Sequence, residues 1–511
     1  MIHNDALKIW KTKEITALQG SDLKKIEQQV NAGKKTARQR LDLLLDPNSF
    51  QEIDQLAASP FLTPKLYTDG VVTGFGTVAG KKVAVYAQDF TLKGGSLGKR
   101  HAEKICKVMD MAAKIGCPII GIIDSGGARI DEGIHALAGY GSIFKRNVHL
   151  SGVVPQISLI LGPCAGGAAY SPALTDFVFM TEQISQMFIT GPQVIKEVLG
   201  QTITKEELGG SQVHAALSGV AHVITKTEDE CFAQLKKLLS LLPSNYLAAD
   251  ANLAEEPTPE HQPITQLMPT SETAAYDIKK IIHALVDHET FFEIHELFAQ
   301  NMVVGFARLA GKTVGIVANQ PLHKAGTIDS DASTKAARFI NCCNNFSIPI
   351  ISLVDVPGFL PGIDQEHHGI IRHGAKLLYA YANATVPKIT VITRKAFGGA
   401  YIVMGSKELG ADFNFAWPSA QIAVLGPQAA IAILYGKQLA IEPAESRPNL
   451  KKVLETTYRE EFLHPYVAAE YGYIDAIIEP NATRQTLIKA LKIAENKVEN
   501  LLKKKNGNIP L

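Results

Sequence analysis

The sequence predicts an α/β protein built from two copies of one unit, and three observations carry that prediction. Residues 72–81 read VTGFGTVAGK and residues 303–312 read VVGFARLAGK, an offset of 231. The offset then holds along the chain: Lys104 falls on Lys335, Pro118-Ile119-Ile120 on Pro349-Ile350-Ile351, Asp124 on Asp355 and Gly127 on Gly358. After one residue of slippage, Gly166-Gly167-Ala168 falls on Gly398-Gly399-Ala400. Each copy also alternates β-rich runs with stretches at helical spacing, the pattern of right-handed strand–helix–strand crossovers.

The elements follow in order. A hairpin opens each copy, with Gly80-Lys81 and Gly311-Lys312 as turn residues between β-rich runs. Apolar residues at helical spacing predict helices over 99–115 and 333–345. A buried strand comes next, CPIIGIID or IPIISLVD, ending in an aspartate and a glycine loop. Second helices are expected over 135–147 and 369–384, and the strands VVPQISLIL and VPKITVIT run from them into Gly-Gly-Ala. The first 65 residues read as helical and outside the repeat, with 24–45 strongly patterned, and 483–505 reads as a C-terminal helix. Residues 245–266 are acidic, Pro-bearing and aperiodic, which marks the linker region. The expected division is a first domain over 1–250, a connection over 251–270 and a second domain over 271–511.

Composition narrows the function. At 511 residues, with 46% hydrophobic and 20% charged residues, the chain has material for more than one core. A net charge of +1 with dispersed Lys and Arg favours neither nucleic acid nor an anionic membrane. Lys503-Lys504-Lys505 reads as a solvated tail. The N-terminal segment has no apolar core like that of a signal peptide, and no run is long enough to span a bilayer, so a cytoplasmic protein is expected. The six cysteines form no CxxC pair, which argues against structural zinc and against a disulfide framework.

Gly166-Gly167-Ala168 and Gly398-Gly399-Ala400 each sit between the end of a strand and the start of a helix. Helix first-turn amides are unpaired and carry the positive end of the dipole, and glycine lets an oxygen approach them closely. Such amides can form an oxyanion hole. The alternative is simple close packing of helix on strand; two occurrences at matched strand ends favour the oxyanion reading. Conventional catalysts are hard to find. Ser125 and Ser171 lack a G-x-S-x-G context. Asp124 and Asp355 read as turn caps at strand ends. His367, His368 and His373 show no third ligand at metal-binding spacing, so no metal is expected. Residues 93–104, KGGSLGKRHAEK, fall short of a P-loop but could form a Gly-rich nest for an anion.

Longer motifs carry a resemblance. KTARQRLDLLLD (35–46), DSGGARIDEG (124–133), CAGGAAYSPALTD (164–176), DVPGFLPGIDQE (355–366), residues 370–401 and AWPSAQIAV (416–424) closely resemble the carboxyltransferase β subunits of biotin-dependent acyl-CoA carboxylases. The propionyl-CoA carboxylase kind is nearest. The resemblance implies two crotonase-type (ClpP/crotonase-like) β-β-α superhelix domains. It also implies transfer of a carboxyl group from carboxybiotin, carried on a partner protein, to the α-carbon of a short-chain acyl-CoA such as propionyl-CoA or acetyl-CoA. One hole would stabilise the thioester enolate and the other the biotin ureido oxyanion, with biotin itself taking the α-proton once CO₂ has left it.

On the same basis Ser125, Gly126, Gly127, Ala128 and Arg129, with Asn319 and Gln320 from the segment 288–320, are expected to bind acyl-CoA. Val356, Pro357, Gly358, Phe359 and Leu360 are expected to line the biotin and acyl pocket with Tyr170, Tyr401 and Ile402. Arg129 could meet a phosphate or serve a structural ion pair. The family implies a hexamer, with sites where the first domain of one subunit meets the second domain of another. A biotin carboxylase/biotin carboxyl carrier partner is implied as well, because no Met-Lys-Met biotinylation motif and no ATP-grasp module is present. Two features depart from the pattern: Ile402 stands where propionyl-preferring relatives often carry Asp, and Ala169 is an extra residue before Tyr170. A biotin-dependent malonyl- or methylmalonyl-CoA decarboxylase subunit is a second reading, and a non-catalytic CoA-binding scaffold a third.

Overall fold

The computed structural model describes residues 2–248, 263–503 and 505–510. Contacts divide the chain into two compact units, Met1–Ala249 and Asp250–Leu511. In the first unit the strands are β1 (Gln51–Ile53), β2 (Val71–Val78), β3 (Lys81–Gln88), β4 (Ile119–Ser125), β5 (Gln156–Ala165), β6 (Phe177–Thr181), β7 (Gln186–Phe188) and β8 (Val223–Thr225). They form one sheet in the order β1-β2-β3-β4-β5-β6-β8, with β7 beside the far end of β5. The second unit has β9 (Phe292–Ile294), β10 (Met302–Leu309), β11 (Lys312–Asn319), β12 (Ile350–Val356), β13 (Lys388–Phe397), β14 (Phe413–Ala416), β15 (Gln421–Ala423) and β16 (Ala476–Ile477), in the same topology.

The hairpins are antiparallel, and Val72 opposite Ala87 matches Val303 opposite Ala318. The strands from β3 to β6 and from β11 to β14 are parallel. Buried on both faces, β4 and β12 read as near-continuous apolar runs for that reason. The helices Lys99–Ile115 and Ile134–Leu150 pack together over one sheet, as do Ser330–Asn345 and Ile370–Asn383 over the other. Gly116, at φ 71, ends the first of these helices in the left-handed conformation. Asp329 starts Ser330–Asn345 by accepting from the Ala332 amide at 2.8 Å.

The structure corrects several expectations. The duplication reaches further upstream than the sequence suggests: helix Ala37–Leu44 and β1 correspond to helix Ile278–Leu285 and β9 at an offset of 241. Asp46 accepts from the amides of Ala79 and Gly80 at 2.9 Å each. Asp287 does the same for Ala310 and Gly311, at 3.0 and 2.8 Å. The offset changes because the first unit has a longer connection between Ile53 and Val71. The patterned stretch 24–45 is two helices, Leu23–Asn31 and Ala37–Leu44, broken where Gly33 takes φ 76. The C-terminal helix ends at Ala494 rather than 505. Of the expected connection, residues 249–262 lie outside the described residues, and Ile264–Leu267 is a short helix. No helix among the described residues is long and apolar enough to cross a membrane.

Candidate active site

Each unit turns from strand to helix through a left-handed glycine. After β5, Gly166 takes φ 62 and opens the 3₁₀ turn Gly166–Ala169; after β13, Gly398 takes φ 59 and opens the helix Gly398–Val403. A side chain at Gly398 would be strained there and would bring a Cβ to 3.0 Å from the Val424 carbonyl. Neither turn has a side-chain cap, so first-turn amides are left bare. Ala168 and Ala400 tuck their methyls into the interior, whereas Gly167 is half-buried and Gly399 exposed. The extra Ala169 is absorbed in the 3₁₀ turn, which leaves Tyr170 exposed; Tyr401 is half-buried and Ile402 exposed.

A second loop lies beside each turn. Gly126 donates to the Gly94 carbonyl at 2.9 Å, the Leu97 amide donates to the Gly127 carbonyl at 2.9 Å, and the Arg129 amide donates to the Leu97 carbonyl at 3.0 Å. Gly127, at φ 104, comes so close to the end of β5 that an added Cβ would lie 2.9 Å from the Ala165 carbonyl. The sequence-predicted Ser125-Gly126-Gly127-Ala128 is therefore brought to Gly166-Gly167-Ala168. In the second unit Val356 is buried, Ile328 donates to Gly358 at 3.1 Å, and Leu360 donates back at 2.8 Å. The Phe359 ring lies against Gly374 and reaches 4.0 Å from an ideal Cβ on Gly399. Pro357, Gly358, Phe359 and Leu360 are half-buried around it.

The remaining candidates are occupied elsewhere. Arg129 is sealed, with Asp69 at 2.7 Å, Glu132 at 2.8 Å and the Ser96 carbonyl at 2.9 Å, so the ion-pair alternative is the one the structure shows. Glu132 also accepts from the Lys99 amide at 2.7 Å and fills the helix terminus that the sequence offered as an anion nest. Asn319 is buried, accepting from the Asp355 amide at 3.3 Å and donating to Gly326 at 3.2 Å. Gln320 donates to Asp277 at 2.7 Å and accepts from Ile278 at 3.2 Å. Both side chains are thus engaged in hydrogen bonds within the second unit.

Ser171 donates to Asn147 at 2.9 Å, and Ser125 accepts from the Gly127 amide at 3.2 Å. His367 and His368 are exposed, and His373 meets Thr334 at 3.1 Å. No group of three His, Cys, Asp or Glu among the described residues is arranged for a metal ion. Burial pushes the thiols of Cys106 and Cys117 up to about 11 and that of Cys231 to about 12, far from nucleophilic thiolates.

Asp124 and Asp355 are not turn caps. Asp124 is buried between Arg40 at 2.9 Å and Lys34 at 2.7 Å; burial pushes its carboxyl up against the pull of both cations. Asp355 holds Arg394 at 2.9 Å and the Lys395 amide at 3.1 Å. These arginines were not singled out by sequence reasoning, since nothing local links Arg40 to a strand end 84 residues away.

Such a pair of uncapped amide turns, each beside a glycine loop, is suited to holding oxyanions. The carboxyl transferase domain family matches residues 28–509, and the chain belongs to that family. It is 52% identical over 518 residues, the whole of both chains, to the propionyl-CoA carboxylase carboxyltransferase subunit of Haloferax mediterranei. It is 51% identical over 96% of both chains to the methylmalonyl-CoA decarboxylase subunit alpha of Veillonella parvula. A transcarboxylase 12S crystal structure, a hexamer with methylmalonyl-CoA and methylmalonic acid bound, matches with a TM-score of 0.95. That match has 44% identity and covers 100% of this chain and 99% of the other. The duplicated crotonase-type fold implied by the motifs is therefore the fold of this chain.

Proposed function

We propose that this chain moves a carboxyl group between biotin on a partner protein and the α-carbon of a short-chain acyl-CoA. The observation that carries this reading is the duplicated turn, in which Gly166-Gly167-Ala168 and Gly398-Gly399-Ala400 present first-turn amides without a side-chain cap. When bound, biotin supplies the carboxyl group and a basic ureido nitrogen, which fits the engagement of Asp124 and Asp355 in ion pairs and the exposure of His367 and His368. The first turn and the loop at Ser125-Gly126-Gly127-Ala128 hold the thioester oxygen as negative charge develops on it. The second turn holds the ureido oxygen, with Phe359 as an apolar wall. Each donor aimed at such a charge contributes roughly 3 kcal/mol of transition-state stabilisation. Ile402 places an apolar side chain beside the second turn and suits a broader acyl range than propionyl alone.

Affinity capture on streptavidin from native extract, followed by assay of malonyl-CoA and methylmalonyl-CoA decarboxylation with free biotin, tests this. Recovery of the chain with a biotinylated partner and biotin-dependent decarboxylation are expected; CoA binding without either would overturn it. The 51% identity to a decarboxylase subunit favours a second reading, in which the transfer runs towards biotin. An ATP-dependent biotin carboxylase among the captured partners selects the first direction.

A further inference from the structure

Asp124 and Asp355 lie near the ends of equivalent strands, yet the arginines that neutralise them come from different elements. In the first unit Arg40 comes from the helix Ala37–Leu44, and opposite it on β5 stands Gly162, where a Cβ would lie 1.9 Å from Asp124 Oδ1. In the second unit the position matching Arg40 is Ile281, buried in the apolar core, and the position matching Gly162 is Arg394. Arg with Gly in one unit has become Ile with Arg in the other. The guanidinium on the aspartate is retained while the residues supplying it are exchanged.

The sheet shows what the cation does. The β4–β5 ladder runs Ile123 to Ile160 and then jumps to Ser125 and Cys164; β12–β13 jumps in the same way from Val354–Ile392 to Val356–Ala396. At Asp124 and Asp355, therefore, a bulge interrupts the ladder between the strand that leads to the glycine loop and the strand that leads to the Gly-Gly-Ala turn, before pairing resumes at Ser125–Cys164 and Val356–Ala396. Arg40 bridges that gap. It donates to Asp124 at 2.9 Å and to the Leu161 carbonyl at 2.6 Å, and it is braced by Glu228 at 2.9 and 2.8 Å. Arg394 is braced by the Ala274 carbonyl at 2.8 Å and lies over the Tyr276 ring at 4.9 Å.

We propose that Arg40 and Arg394 are positioning residues that set the spacing between loop and amide turn in their own units, Arg40 for the thioester oxygen and Arg394 for the ureido oxygen. This rests on the function proposed above. A planar, permanently charged fork suits the task because it can hold a carboxylate and a carbonyl at fixed separation, which lysine cannot.

The test compares dissociation constants of the purified chain for propionyl-CoA and for S-propyl-CoA, a thioether without the carbonyl oxygen, alongside kcat for methylmalonyl-CoA decarboxylation. Arg40→Met is made in a Glu228→Gln background to avoid stranding a buried charge. It is expected to lose about tenfold in thioester preference and in kcat, less than the ~10²–10³ for deleting a donor outright. Thioether affinity is expected to stay unchanged. Arg40→Lys, which keeps the charge and is checked for folding by circular dichroism, is expected to lose preference as Arg40→Met does. Thioester preference retained in folded Arg40→Lys, or equal weakening of both ligands, would overturn the positioning role. Gly167→Leu is the control: loss of preference there with none in the Arg40 variants overturns the role alone, whereas preference kept in Gly167→Leu overturns the underlying reading and the role with it.

Discussion

Lys104 and Lys335 occupy equivalent places on equivalent helices, and each is sealed inside its unit with 1% and 2% exposure. The Lys104 ammonium donates to the carbonyls of Thr68 and Val71 at 3.0 and 2.5 Å. Lys335 donates to His295 and Phe298 at 2.8 and 2.7 Å. Each lysine thus pins the loop that leads into the hairpin of its own unit.

Lys335→Met should leave at least two buried carbonyls unsatisfied and cost about 1–3 kcal/mol, read as a lower denaturant midpoint. A pH effect accompanies it. Burial pushes Lys335 down to about 7 and Lys104 to about 8, from an ordinary value of 10.5. Between those values and 10.5 the unfolded chain binds more protons, so stability rises with pH across that window and is lost as pH falls through the folded values. Denaturation midpoints taken between pH 7 and about 8.5, below the range where the buried thiols bring an opposing slope, should climb in the parent chain and climb less in Lys335→Met.

Gly399→Leu should abolish carboxyl transfer, with a loss of at least about 10²-fold in kcat, while leaving folding and assembly intact. The substitution is well suited to the purpose because a Cβ there meets nothing nearer than 4.0 Å, so the side chain fills the cradle rather than the core. Decarboxylation with free biotin and light scattering measure the two halves of the prediction. Full activity would remove the second turn from the mechanism.

Arg129→Gln should act on stability and not on phosphate recognition. Its removal strands Asp69 and Glu132, both buried, at a cost of about 3–5 kcal/mol. Thermal denaturation should show a large drop. The ratio of affinities for CoA and 3′-dephospho-CoA, measured below the transition, should equal that of the parent chain.

Ile402→Asp should move acyl preference towards propionyl-CoA, because a carboxylate replaces an exposed apolar side chain beside the second turn. Relative kcat/KM for acetyl-, propionyl- and butyryl-CoA reads this directly. Identical ratios in the two proteins would remove Ile402 as a selectivity determinant.

Much of the architecture was legible because it depends on short-range patterns. Hairpin turns, apolar strands and helical spacing are local, and a 231-residue offset carries them from one unit to the other. The Gly-Gly-Ala turns were legible for the same reason, since a left-handed strand-to-helix junction calls for glycine. The upstream part of the duplication was visible only in retrospect. Asp46, Ser49, Phe50 and Ile53 recur as Asp287, Thr290, Phe291 and Ile294, but a longer connection shifts their offset and hides the match.

By itself, the sequence determined the repeated unit, the order of its elements and the glycine positions where bare amides can face a ligand. Only the tertiary structure decided which charges serve the interior. Arg129, Asn319 and Gln320 look like ligand groups in the chain, and the packed units give each of them internal hydrogen-bond partners. Arg40 finds Asp124 from far away in sequence, while Arg394 does the matching work from inside its own strand. A buried charge needs a counter-charge at hydrogen-bond distance and is indifferent to which segment provides it, so the pairing is a property of the packed units that no local pattern records.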